Sequence, residues 1–169
     1  RPALLKAGER EYGRARFEWS GLHRQGVDLV CAAHFNPLDE WVSMPTDPSP
    51  AARENTLRMM RLLEEELAGE AGRYARIVRN RGELDDCLRI GPDDPAYRVA
   101  VIHTLEGGHA LGGDLVALEE FARRGVAVIT LTHFFNKGLA SATNSFPFFP
   151  DGGSAAPRQG LSEFGREAI

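Results

Sequence analysis

The chain has 169 residues, 43% hydrophobic and 26% charged, values of a globular protein with a packed core and not of a disordered or collagen-like chain. Its 20 basic and 24 acidic residues leave a net charge of −4 with the arginines scattered among Glu and Asp, so there is no basic stripe to hold a nucleic acid. No apolar run reaches the length needed to span a bilayer, and no leader-like segment opens the chain.

Residues 14–25 form a polar, helix-compatible stretch with Phe17, Trp19 and Leu22 as its apolar positions, stopped by Gly26. Residues 27–33 are almost wholly apolar, as in a strand of a buried parallel sheet. Four prolines between Pro37 and Pro50 mark a loop. A helix is predicted over 51–68, with Leu57, Met60, Leu63 and Leu67 on one face, Glu64, Glu65 and Glu66 mostly outward, and Gly69 and Gly72 ending it.

A short strand follows at 75–78, then a helical turn or two over 82–88 and a proline-rich turn at 91–95. Residues 99–105 read as a strand. Asp114 is placed to cap a helix running to Arg124, with Leu115, Leu118 and Phe121 on one face and Gly125 as its stop. Residues 126–132 are a second β-branched strand. A long loop occupies 135–159, and a last helix opens at Leu161. The alternation of strand and helix predicts an α/β fold with parallel strands, either a TIM barrel or an open doubly wound sheet. No Gly-x-Gly-x-x-Gly opens a helix after a strand, which counts against a dinucleotide fold. A full TIM barrel takes roughly 250 residues, so the chain would hold about half of one, as one partial barrel domain over 1–169.

Two side chains stand where such a barrel builds its active site, at the C-terminal ends of strands. Glu106 follows the strand 99–105 and His133 follows the strand 126–132. A carboxylate and an imidazole on one rim suit a hydrolytic zinc site. Gly107 and Gly108 allow a sharp turn and a close approach to a ligand. The competing reading is a plain surface turn, and a strand-end histidine is often bonded only to a carbonyl.

The run Val101-Ile102-His103-Thr104-Leu105-Glu106-Gly107-Gly108-His109 resembles the Glu-Gly-Gly-His segment of the membrane (renal) dipeptidase family, zinc metallopeptidases built on a TIM barrel. Leu131-Thr132-His133-Phe134-Phe135-Asn136 is similar to the family's Leu-Thr-His-x-x-Asn strand end, and Gly160-Leu161-Ser162-Glu163-Phe164-Gly165-Arg166-Glu167 to its final helix start. The clear resemblance covers 98–169, and 14–90 fits more loosely. It implies a hydrolase that cleaves dipeptides with a metal-activated water. It implies that Glu106 bridges two zinc ions, that His133 contacts substrate and helps polarise the scissile carbonyl, and that His109 is not a metal ligand but either supports the ligands from behind or is structural.

The family's His-x-Asp pair occurs nowhere in the chain, and its later metal histidines and catalytic Asp would fall beyond Ile169. With Arg1 in place of a Met and a stop as a helix opens, the chain reads as a piece of a longer protein, one that alone would bind zinc weakly and hydrolyse nothing. Two alternatives stay open: a non-catalytic relative that keeps the barrel as a binding or oligomerisation scaffold, and another amidohydrolase-type barrel acting on small amides. The loop 135–159, with Phe146, Phe148 and Phe149, either walls the pocket, meets a second copy in a homodimer, or is a surface loop. Cys31 and Cys87 read as buried free thiols of a cytoplasmic protein. His34 ends the strand 27–33 and at most lines the same rim, where the family has no fixed ligand; His23 is expected to face solvent, and His103 to be packed and hydrogen-bonded within its strand.

Overall fold

The structure is a computed structural model that describes residues 18–35, 50–133, 139–141 and 160–169. Its elements alternate in the expected way: α1 (Trp19–Arg24), β1 (Leu29–His34), α2 (Pro50–Ala68), β2 (Ala75–Ile77), α3 (Arg81–Leu88), β3 (Val99–Leu105), α4 (Leu115–Arg123), β4 (Val126–Ile129) and α5 (Glu163–Ala168). Two single 3-10 turns, Glu70–Arg73 and Gly108–Leu111, follow α2 and β3. The predicted loop between Pro37 and Pro50 and most of the loop 135–159, its three phenylalanines included, lie outside the described residues.

All strand pairs are parallel, and β3 is the centre of the sheet. Along its whole length β3 pairs with β1, from Leu29↔Ala100 to His34↔Leu105. Its other edge is shared. β2 covers the start, Ala75↔Val99 to Ile77↔Val101, and β4 covers the end, up to Leu105↔Ile129. The hydrogen bonds explain the division. In a parallel strand successive residues bond to opposite sides. Val99 and Val101 bond to the β2 segment and Leu105 to Thr130, all odd-numbered, while Ala100 and Glu106 bond to Asp28 and His34. Where β2 hands over to β4, Gly125 adopts φ +87° and packs on Arg79; a Cβ there would lie 2.6 Å from the Arg79 Cα.

One face of β3 is covered by helices. Leu67 of α2 packs with Trp19, Ala75, Val99 and Val101, while Met60 packs with Leu105, Leu111, Ala117 and Phe121. So α2 runs antiparallel to β3, as a crossover helix must. Hydrogen bonding fastens the layer: Trp19 Nε1 donates to Glu66 (2.8 Å), and Arg53 reaches Asp114 (3.2 Å) and Glu120 (2.6 Å) on α4. Asp114 caps α4 by accepting from Val116 N, and Ser162 caps α5 by accepting from Gly165 N. Gly165 has no room for a side chain, because a Cβ would collide with the Leu139 carbonyl.

The opposite face divides in two. Near the strand starts, Ala100 and Ile102 meet Val78, Leu84 and Cys87, the last two from α3. Near the strand ends, Cys31, Ala33, Thr104, Glu106, Val128 and Thr130 line a cavity of about 350 Å³.

Several local expectations are corrected. Cys87 is buried but Cys31 is exposed, because alternation turns it toward the uncovered face of β1. Leu115 lies on the outer side of α4; Ala117 and Phe121 carry its buried stripe. His23 is not a solvent-facing side chain: its Nε2 lies 3.1 Å from the Tyr97 carbonyl and its ring packs on Tyr74 and Tyr97. β4 ends at Ile129 rather than at 132, where the chain leaves the ladder toward the site. A parallel sheet with crossover helices is therefore present. Among the described residues no helix is long and apolar enough to cross a membrane.

Candidate active site

Glu106 is the first residue beyond β3, and its backbone is tied on both sides. Its N–H donates to the His34 carbonyl on β1 (3.2 Å). The next N–H, of Gly107, donates to Thr130 Oγ1 beyond β4 (2.6 Å). Gly107 sits at φ +104°, where a side chain is strained, and a Cβ would also collide with the ring of His109 folded back over it. Gly108 is confined in another way, since a Cβ would lie 2.6 Å from the Leu139 side chain. The chain then enters the 3-10 turn Gly108–Leu111, whose Ala110 and Leu111 are buried in the core. The two glycines thus make a sharp turn anchored in the core, leaving the Glu106 side chain at the mouth of the cavity.

His133 arrives from the neighbouring strand end. Its Nε2 lies 3.1 Å from Glu106 Oε1, with the carboxylate 38% and the imidazole 19% exposed. The Phe35 ring packs on the imidazole in an edge-to-face arrangement, centroids 4.5 Å apart. The two residues singled out in the sequence therefore meet at one rim. Phe35 and Thr130, which border them, carried no signal in the sequence beyond a hydroxyl in an otherwise apolar strand.

His34 is not part of the rim. Its side chain does not line the rim but lies on the helix-covered face, where Nε2 sits 2.7 Å from His103 Nδ1. Only its carbonyl touches the site. In a strand, His34 shares a face with Val30 and Ala32, and that face belongs to the core. His103 is fully buried, as expected of a packed strand histidine, and its Nε2 lies 3.7 Å from Glu64 Oε1. That turns Glu64 partly inward, against the expectation of an outward side chain, while it also pairs with Arg79 (2.9 Å). Burial, aided by the neighbouring His103, pushes the His34 pKa down to about 4. Burial likewise lowers His103, opposed by Glu64.

Residues 9–169 match the family model described as "Membrane dipeptidase (Peptidase family M19)". The chain belongs to the membrane dipeptidase family. Curated proteins yield no match. Solved structures do. The probable dipeptidase PvdM from Pseudomonas aeruginosa is 20% identical with a TM-score of 0.68, over 89% of this chain and 36% of that one. The dipeptidase AC, a metallopeptidase of family M19, is 22% identical with a TM-score of 0.62, over 97% and 48%. A metallopeptidase from Rhodobacter sphaeroides, liganded with a phosphinate mimic of the dipeptide L-Ala-D-Ala, is 22% identical with a TM-score of 0.61, over 97% and 50%. At these identities the likeness establishes a shared fold. The chain spans between 36% and 50% of the length of these structures. Membrane dipeptidases are metallopeptidases, so hydrolysis by a metal-dependent enzyme describes the family.

The donors around Glu106 can be tested against such a centre. Catalytic zinc takes three protein ligands plus a water or substrate. Among the described residues no group of three or more His, Cys, Asp or Glu side chains is placed to hold a metal ion. Glu106 and His133 pair, and among the described residues no third His, Cys, Asp or Glu side chain makes a metal-holding group with them. A carboxylate at a cavity mouth has the chemistry of one corner of a metal site, and the described residues do not complete it.

Proposed function

We propose that this chain is part of a zinc-dependent dipeptidase, a (β/α)8 barrel of which it forms about half as one partial domain. In this reading Glu106 bridges two zinc ions and His133 contacts the substrate. The observation that carries it is the approach of Glu106 and His133 to 3.1 Å at the ends of adjacent parallel strands, in a chain of this family. When bound, zinc supplies the acidity that turns water into a nucleophile near neutral pH.

The chain's own residues have separate tasks. Glu106 offers two oxygens from a backbone held on both sides, which fixes where its side chain leaves the turn. His133, packed against Phe35, directs an imidazole N–H at the scissile carbonyl and stabilises the negative charge that develops on its oxygen. The open face beneath them is lined by Cys31, Ala33, Thr104, Leu105, Val128 and Thr130, with Glu106 as its charged side chain. The remaining zinc ligands come from sequence outside the described donors.

The proposal extends to a cytoplasmic setting, in keeping with two free thiols, and to an oligomeric state that is either a monomer or a homodimer, which sedimentation distinguishes. The incomplete donor set favours one competing reading, a relative that keeps the fold as a scaffold without catalysis. Zinc per chain and hydrolysis of a dipeptide panel, measured on the full-length protein, separate the two. The dipeptidase reading expects bound zinc and turnover. A full-length protein free of zinc that leaves every dipeptide intact would overturn it.

A further inference from the structure

Thr130 is the one side chain that touches both peptide groups flanking Glu106 in the described hydrogen bonding. Its hydroxyl accepts from the Gly107 N–H at 2.6 Å and donates to the Leu105 carbonyl at a longer 3.4 Å, while its backbone N–H donates to that carbonyl at 3.0 Å. The Glu106 N–H is held from the opposite edge by the His34 carbonyl. On the β4 side the Leu105 carbonyl and the Gly107 N–H therefore both end on Thr130, and the next N–H, of Gly108, donates to the Leu131 carbonyl (3.3 Å).

We propose that Thr130 is a positioning residue for the metal site: its hydroxyl fixes the turn that carries Glu106 and sets the spacing between Glu106 and His133. This rests on the reading of Glu106 as a metal ligand. Three features support it. Gly107 is buried at φ +104°, so its N–H loses a short, partly buried hydrogen bond if the hydroxyl is removed, and no shift of that backbone recovers it cheaply. Thr130 lies three residues before His133, so the same side chain ties the segment bearing the imidazole to the turn bearing the carboxylate. Thr130 itself is exposed on the cavity side and contributes little to the core, which frees its hydroxyl for this task. It touches main chain and not reacting atoms, so it acts through Glu106.

The test is zinc affinity, by competition with a chelator, in the full-length protein and in Thr130→Val, Thr130→Ser and Glu106→Gln, with kcat, KM and the unfolding midpoint followed beside it. Groups that orient metal ligands typically change metal affinity by about 10- to 100-fold when removed. Thr130→Val is therefore expected to weaken zinc by about that factor and to lower kcat with KM nearly unchanged. Thr130→Ser, which restores the hydroxyl without the methyl, returns both toward the starting protein. A valine variant that keeps its zinc affinity while Glu106→Gln loses it overturns the inference and leaves the zinc reading standing. A serine variant as weak as the valine variant also overturns it, since the methyl and not the hydroxyl would then matter. Unchanged zinc in Glu106→Gln defeats the underlying reading itself. If Thr130→Val does not accumulate folded, Thr130→Ala against Thr130→Ser makes the same comparison.

Discussion

The two faces of the sheet come from the same strands and have opposite fates. On one face Val99, Val101, His103 and Leu105 are buried almost completely beneath α1, α2 and α4. On the other, Cys31, Ala33, Thr104, Val128 and Thr130 border an open cavity, and Val128 is 50% exposed. The covered face holds the chain together, while the uncovered face carries Glu106 and the threonine that braces it. Alternation along β3 lets one strand do both, because a residue's parity decides which side it serves.

The largest effect should come from the covered face. Phe121, fully buried among Met60, Leu105 and Ala117, should cost about 3–5 kcal/mol when replaced by alanine, read from denaturant unfolding. A loss below about 1 kcal/mol, the usual range of surface substitutions, would show that this face is not the stabilising one.

The second effect is also beneath the covered face. His34 and His103 are buried neutral, with pKa values below the ordinary histidine value near 6.5, His34 at about 4. Unfolding frees both rings to take up protons, so stability is full above about pH 6.5. It falls as pH drops below that, at up to about 1.4 kcal/mol per pH unit for each proton, and the His34 share levels once its ring protonates in the folded protein near pH 4. Unfolding midpoints from pH 7.5 to 4.5, for the protein and for a double variant with His34→Gln and His103→Gln, check this. Equal slopes would mean that other groups govern the acid response.

The uncovered face gives the sharper comparison. If the full-length protein closes a barrel, Val128 is buried there despite its exposure in this chain. Val128→Ala should then cost more than about 1 kcal/mol in the full-length protein. A negligible loss would break the barrel proposal. The smallest effect belongs to Arg53, whose pairs with Asp114 and Glu120 are partly exposed. Arg53→Ala should cost about 0.2–1 kcal/mol, with the loss shrinking at high salt.

Much of this was legible in the sequence. Apolar β-branched runs bounded by glycines gave the strands near 27–33, 99–105 and 126–132, and capping residues such as Asp114 gave a helix start to the residue. Glu106 and His133 could be read because strand ends are where such a fold builds its site. What stayed hidden depended on which face is covered. β1 is apolar from Leu29 to Ala33, so nothing in its pattern told His34 to turn inward or Cys31 to turn outward. The role of Thr130 was hidden for another reason: it rests on a hydrogen bond across 23 residues, visible only once β3 and β4 are side by side.

Whether Glu106 holds zinc is read by anomalous scattering at the zinc edge from crystals of the zinc-loaded full-length protein. Two peaks, each about 2.0–2.2 Å from a Glu106 carboxylate oxygen, are the predicted result. Zinc bound elsewhere, with Glu106 still paired to His133 and no metal beside it, would contradict the account.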